Sequence, residues 1–113
     1  MGTLLSVNLG QPHETTHSDI GVTGIDKRPA AGPVEIRGPH DNGSGLIGDT
    51  ICDLRHHGGD DQAVYAYARE DLDAWEADLG RPLPPGTFGE NLATSGVDVT
   101  GALVGERWQV GLD

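Results

Sequence analysis

The chain has 113 residues, which is enough for one domain and too few for two. Its 18 acidic residues outnumber 7 Lys and Arg, and the formal net charge of −11 argues against nucleic-acid or anionic-membrane partners, because binding phosphate requires clustered cations. One cysteine precludes an internal disulfide, and no signal peptide or run of roughly 20 apolar residues is found, so we expect a cytoplasmic location.

Several short segments have the patterns of strands. Residues 4–9 form an apolar-rich run that predicts a first strand. Residues 34–37 alternate apolar and polar side chains, and residues 62–68 alternate in bulk, so both predict strands. Residues 107–110 predict the start of a final strand. Eighteen glycines favour many turns, and the whole pattern predicts a mainly β protein, a barrel or a sandwich rather than a βαβ sheet.

One segment, near residues 69–79, has the pattern of an amphipathic helix. Leu72, Trp75 and Leu79 are spaced three and four apart, which places them on one face and predicts that the face packs against the core. Acidic residues fall in the first turn, where their carboxylates interact favourably with the positive end of the helix dipole and so stabilise the helix. Gly80 and the prolines after it predict where the helix ends.

The densest candidate site is the loop of residues 55–61, which contains His56, His57, Gly58 and Gly59. An imidazole beside two glycines can contact a ligand, because the backbone there approaches closely. The residues alone do not decide between two interpretations of this loop, a structural turn and a loop that contacts a ligand. A metal site that also used His40 is disfavoured, because adjacent histidines cannot easily share one ion.

Two further segments carry groups suited to recognising a ligand. Gly89, Glu90 and Asn91 combine a flexible backbone with acceptors and amide donors, which suits a heterocycle, although such side chains also satisfy loop backbone groups. Lys27 is the only lysine, in a loop broken by glycine and proline, where it could bind a phosphate or remain a solvated charge. Asp49 is expected to bind backbone amides, and Cys52 to be an inert core thiol.

The order of these motifs is more specific than any one of them. It resembles the MOSC domain family, named for the C-terminal domain of molybdenum cofactor sulfurase, and its stand-alone bacterial members in particular. The motifs that carry the resemblance are Lys27 in its Gly-Ile-x-Lys-x-Pro setting, Gly45–Asp49, His57-Gly58-Gly59 with Gln62–Tyr65, Trp75, Phe88–Leu92 and Gly105–Trp108.

The resemblance implies a MOSC-type β-barrel that binds molybdenum cofactor (molybdopterin). It leaves pyridoxal phosphate open as another ligand. It links the parent protein to sulfur transfer or to reduction of N-hydroxylated compounds. From the residues themselves we expect no metal held by side chains alone. An exposed sheet edge would favour a homo-oligomer, and a redox partner is the other partner considered. The residues implied to bind the cofactor are Lys27, His57, Gly58, Gly59, Gly89, Glu90 and Asn91.

The resemblance also predicts what residues 1–113 lack. The family's reactive cysteine follows the strand that would come after Trp108, and Cys52 does not match that position. Residues 1–113 are therefore expected to be the N-terminal portion of one MOSC-like domain, with an incomplete barrel. The alternative function is a non-catalytic cofactor-binding or interaction module that another chain completes.

Overall fold

The computed structural model describes residues 2–16, 20–39, 43–60 and 62–111. Within them the chain forms six strands and one helix. In chain order these are β1 (Thr3–Gly10), β2 (His13–Glu14), β3 (Val22–Thr23), β4 (Lys27–Pro29), β5 (Ala66–Ala68), α1 (Arg69–Leu79) and β6 (Leu92–Ser95).

The main sheet has four strands in the order β4-β1-β6-β5, and β2 and β3 form a separate antiparallel pair. β1 lies antiparallel to both β4 and β6, with an irregularity between Leu4 and Ser6. Strands β4 and β5 are the edges of this sheet in the described part of the chain. The mainly β prediction is confirmed, and the described residues form an open sheet rather than a closed barrel.

Strand β5 runs parallel to β6, and α1 lies between them in the chain. These elements form one βαβ unit within a sheet whose other strand pairs are antiparallel, so the mainly β prediction stands. Residues 80–91 supply the length that a parallel crossover needs to return the chain to the same end of the sheet.

The helix has the predicted bounds and the predicted end. Gly80 adopts φ +68° and its amide donates to the Glu76 carbonyl, which closes the last turn. Leu72 is fully buried, whereas Trp75 and Leu79 are 47% and 49% exposed. The predicted core face is thus correct for Leu72 and wrong for the other two, because the helix packs on the sheet through a narrow stripe.

Two predicted strands are absent from the described residues. Residues 34–37 contribute only an isolated bridge between Ile36 and Leu46, and residues 107–110 form no strand. The strand predicted over 62–68 is limited to β5. Alternating side chains favour an extended chain, but a strand also needs a neighbour to accept its backbone hydrogen bonds.

Among the described residues, buried polar side chains slightly outnumber buried apolar ones. The buried apolar side chains are Leu46, Ala68, Leu72, Leu83, Leu92 and Ala93. The buried polar ones include Asn8, Lys27, Asp49, Glu90 and Asn91. Such groups are tolerated only when they are hydrogen-bonded, so they mark a specific network. In the described chain, no helix has the length and apolar character required to cross a membrane.

Candidate functional site

A cavity of about 470 Å³ opens between three parts of the chain. We call it the first cavity. One wall comes from β3 and the turn into β4, the second from residues 50–65, and the third from residues 88–91. The residues that line it are Val22, Thr23, Gly24, Ile25, Lys27, Thr50, Ile51, Cys52, Asp53, His57, Gly58, Gln62, Val64, Tyr65, Phe88, Gly89 and Asn91.

Five of the seven residues implied to bind the cofactor lie in the walls of this cavity: Lys27, His57, Gly58, Gly89 and Asn91. They come from three segments far apart in sequence, so the fold brings them together. Gly59 and Glu90 are not in the walls. Gly59 donates its amide to the Gly43 carbonyl at 2.8 Å, and so anchors the loop rather than contacting the cavity.

Lys27 is a buried, paired cation rather than a solvated loop charge. Its side chain is 5% exposed, and Nζ lies 2.7 Å from Asp49 Oδ1. Asp49 also accepts hydrogen bonds from the Gly10 amide at 2.8 Å and from Ser44 Oγ at 2.8 Å. Burial raises the pKa of Asp49, but the hydrogen bonds from Lys27, Gly10 and Ser44 outweigh it and lower that pKa below its ordinary value.

Asn91 connects this ion pair to the sheet. Its amide nitrogen donates to Asp49 Oδ2 at 3.0 Å and to the Asn8 carbonyl at 3.2 Å, while its amide oxygen accepts from the Tyr65 amide at 3.1 Å. Both amide hydrogens are therefore used within the protein. Asn91 thus bonds backbone groups and also lines the cavity, where the described contacts occupy one of the two acceptor positions on its oxygen.

Glu90 faces the interior of the protein. It is fully buried, and Oε1 accepts the Phe88 amide at 3.1 Å. Among the described residues, Oε2 has no hydrogen-bond partner. The carboxyl group is thus enclosed beside the cavity rather than presented to it.

The loop of residues 55–60 is held in place by contacts at both ends. His56 Nδ1 lies 2.9 Å from Asp53 Oδ2, which fixes the start of the loop. Gly58 adopts φ +80°, and a Cβ there would lie 2.7 Å from the Gly43 carbonyl oxygen, so a larger residue would displace the loop. His57 is exposed in the cavity wall, its ring available to a ligand.

No group of three or more His, Cys, Asp and Glu side chains suited to a metal ion occurs within the described ranges. His40, named in the disfavoured metal site, lies outside those ranges.

Aromatic rings form one side of the cavity and continue away from it. The Tyr65 and Tyr67 rings are 6.3 Å apart, Tyr67 and Phe88 are 5.4 Å apart, and Phe88 and Trp75 are 6.4 Å apart, all nearly perpendicular. Burial raises the pKa of Tyr65, and the nearby Tyr67 and Glu90 add to that rise. Edge-to-face packing of this kind makes the wall stiff.

Cys52 is not the core thiol that its apolar neighbours predicted. It is half-buried, and it lies in the wall of the first cavity. The sequence contains a weak signal for this position, because Cys52 directly precedes the Asp53 that fixes the histidine loop. The wall residues Val22 and Thr23 of β3 carry no comparable signal, and sequence reasoning missed them.

Comparisons with known proteins place the chain in a family. Residues 53–113 match the MOSC domain model. The uncharacterized protein YflK of Bacillus subtilis (strain 168) is 37% identical over 109 residues, which cover 96% of this chain and 47% of YflK. The crystal structure of YiiM from Geobacillus stearothermophilus superposes with a TM-score of 0.56 at 31% identity, over 86% of this chain and 40% of YiiM.

This chain thus spans about half the length of YflK and of YiiM. The family match covers more than half of the chain, and it includes the histidine loop, the aromatic wall and residues 88–91. The chain therefore belongs to the MOSC domain family, which is known for binding molybdenum cofactor.

Proposed function

We propose that this chain binds molybdenum cofactor in the first cavity. The observation that carries the proposal is the convergence of Lys27, His57, Gly58, Gly89 and Asn91 on that one cavity. The family resemblance implied a cofactor-binding role for each of these five residues. They come from segments distant in sequence, and their meeting in one cavity supports a shared role.

The cavity fits a phosphorylated heterocycle in size and in chemistry. Its volume of about 470 Å³ falls within the 300–1,000 Å³ typical of small-molecule sites. The described contacts use one of the three N–H donors of Lys27. The partly exposed Tyr65 ring in the wall offers an apolar surface to a ring system.

Each wall residue then has a distinct task. Lys27 would bind the phosphate through its remaining N–H groups, with Asp49 holding the ammonium in place. The His57 ring would donate a hydrogen bond from the exposed side, and the free acceptor position of Asn91 would receive one from the heterocycle. When bound, the cofactor supplies the molybdenum that exchanges electrons, oxygen or sulfur with a substrate.

Sulfur transfer and reduction of N-hydroxylated compounds are our two proposals for the activity of the whole protein in which this domain acts. Cys52 is the thiol present in the cavity wall. We assign it no catalytic role, because it does not occupy the position of the family's cysteine.

The test compares two exposed histidines. His57→Glu places a carboxylate in the cavity wall, whereas His13→Glu places one on strand β2, outside the walls of the cavity. Protein produced in cells that make the cofactor is assayed for molybdenum by mass spectrometry and for pterin by fluorescence after oxidation. We expect both signals in the wild type and in His13→Glu, and a loss of several-fold in His57→Glu.

A second readout follows from Cys52, the only cysteine. A ligand bound in the cavity should slow the alkylation of the Cys52 thiol by a small reagent. Pyridoxal phosphate, which contains no metal, serves as the comparison ligand. Absence of both molybdenum and pterin from the wild type would reject the proposal, as would equal losses in the two histidine variants.

A further inference from the structure

The exposed side of helix α1 combines apolar and acidic side chains. Trp75 and Leu79 are 47% and 49% exposed, although Leu72 on the same helix is fully buried. Residues three and four apart on a helix are neighbours, so Asp71 and Asp78 flank Trp75 on its polar side. We call Asp71, Trp75, Asp78 and Leu79 together the α1 face.

The charge of α1 favours a positively charged partner. Five of its 11 residues are acidic, and its one basic residue, Arg69, is paired with Asp73 and Glu76. Asp78 lies in the last turn, which contains no basic residue, and a carboxylate there interacts unfavourably with the negative end of the helix dipole. Helix stability therefore does not account for Asp78, whereas attraction of a basic surface does.

The same face is in contact with the wall of the first cavity through aromatic rings. The Trp75 ring lies 6.4 Å from that of Phe88, a wall residue. Phe88 in turn lies 5.4 Å from Tyr67, which is 6.3 Å from the wall residue Tyr65. One ring contact thus separates an exposed indole from the cavity. The rate of electron transfer falls steeply with distance, so this short row of packed rings favours transfer between the surface and the cavity.

We propose that the α1 face docks a basic protein that carries single electrons, and that Trp75 and Phe88 form the route between that carrier and the first cavity. The electron route rests on the proposed cofactor site. In each step the carrier is oxidised by one electron and the molybdenum of the bound cofactor is reduced by one, and no bond forms or breaks. The carboxylates steer the carrier, and Trp75 with Leu79 provides the apolar centre of the contact.

The docking experiment uses ferric cytochrome c, a small basic protein that carries one electron, as the probe. Calorimetry should show saturable one-to-one binding at about 20 mM salt that weakens several-fold at about 200 mM, because salt screens exposed charges. Asp78→Lys should weaken binding several-fold while the thermal midpoint stays unchanged or rises, since a cation suits the end of the helix. Glu14→Lys makes the same change in charge at an exposed position on β2 and should weaken binding far less.

The electron route is tested through Cys52, the only cysteine, which lies in the cavity wall. A ruthenium photosensitiser coupled to its thiol takes the place of the cofactor, and a laser flash transfers one electron from the excited ruthenium to the ferric haem. Transient absorption measures the rate in the saturated complex. Trp75→Leu should slow it several-fold, whereas Trp108→Leu, at the other partly exposed tryptophan, should leave it unchanged.

The possible outcomes separate this proposal from the cofactor site, because neither experiment needs molybdenum. Equal weakening by Asp78→Lys and Glu14→Lys would mean that net charge alone attracts the probe, and the docking surface would be rejected. A rate that is unaffected by Trp75→Leu, or equally slowed by Trp108→Leu, would reject the route. Phe88→Leu, which removes the ring between Trp75 and the cavity, is the second test of the route if Trp75→Leu fails to fold.

Discussion

The ion pair between Lys27 and Asp49 shows how single residues connect the core to the site. The two side chains are 5% and 0% exposed, and Asp49 also receives donors from Gly10, Ser44 and Asn91. A buried charge is stable only when partners replace the water it has lost. The same contacts that stabilise the core therefore fix the one lysine that faces the first cavity.

Asp49→Asn should destabilise the protein strongly, because it leaves the Lys27 ammonium buried without a counter-charge. We expect a loss of about 3–5 kcal/mol in the free energy of unfolding, measured by urea denaturation. Asp73→Asn removes the partner of Arg69 in an exposed pair and should cost far less, because solvent screens that pair. Equal losses in the two variants would contradict this assignment.

The pH dependence of stability follows from the lowered pKa of Asp49. Folding favours the ionised carboxylate, so its contribution is complete well above its ordinary pKa of 3.8 and disappears as the pH falls through the lower folded value. The difference in unfolding free energy between the wild type and Asp49→Asn should therefore be largest near neutral pH and should shrink below about pH 4. A difference that does not change with pH would refute the linkage.

The candidate site could be predicted in part at this scale. Lys27, His57 and Asn91 were identified because their residue types and order matched a family. The role of Lys27 as a buried partner of Asp49 could not be predicted, since a pairing across 22 positions leaves no local pattern. The cavity position of Cys52 was missed for the same reason: burial depends on which distant segments pack nearby.

At the scale of elements, α1 was predictable because its signals are local. Periodicity, acidic residues in the first turn and Gly80 all act within a few positions of one another. The strands predicted at 34–37 and 107–110 are absent because a strand depends on a neighbour that is often far away in the chain, and a local pattern does not show whether that neighbour is present. The parallel pairing of β5 with β6 was missed for the same reason.

Gly80→Ala tests the helix end. Gly80 has φ +68°, and no atom lies within 4 Å of a Cβ added there. The loss of folding free energy in the variant therefore comes only from the left-handed backbone conformation. We expect a loss of about 1 kcal/mol in thermal or urea unfolding. Gly32→Ala is the control, because its surroundings are equally open and its φ lies outside the positive region; it should be neutral or slightly stabilising.

For the whole molecule, the net charge of −11 sets which partners can approach. We expect no binding to DNA or RNA in anisotropy titrations at about 50 mM salt, where phosphate contacts are strongest. Saturable binding at that salt concentration would show that a local basic surface outweighs the overall charge. The mainly β class and an incomplete barrel were predicted at this scale, whereas the strand order of the open sheet was not, because it depends on which distant strands pair.

The pairing of β1 with β6 has a consequence for how the chain folds. Thr3 pairs with Ser95, so the two central strands of the sheet come from opposite ends of the described chain. A contact this distant in sequence forms slowly, because a long loop must close before any pairing energy is gained. During synthesis β1 emerges well before β6, so the pairing of these two central strands must wait until β6 has been made.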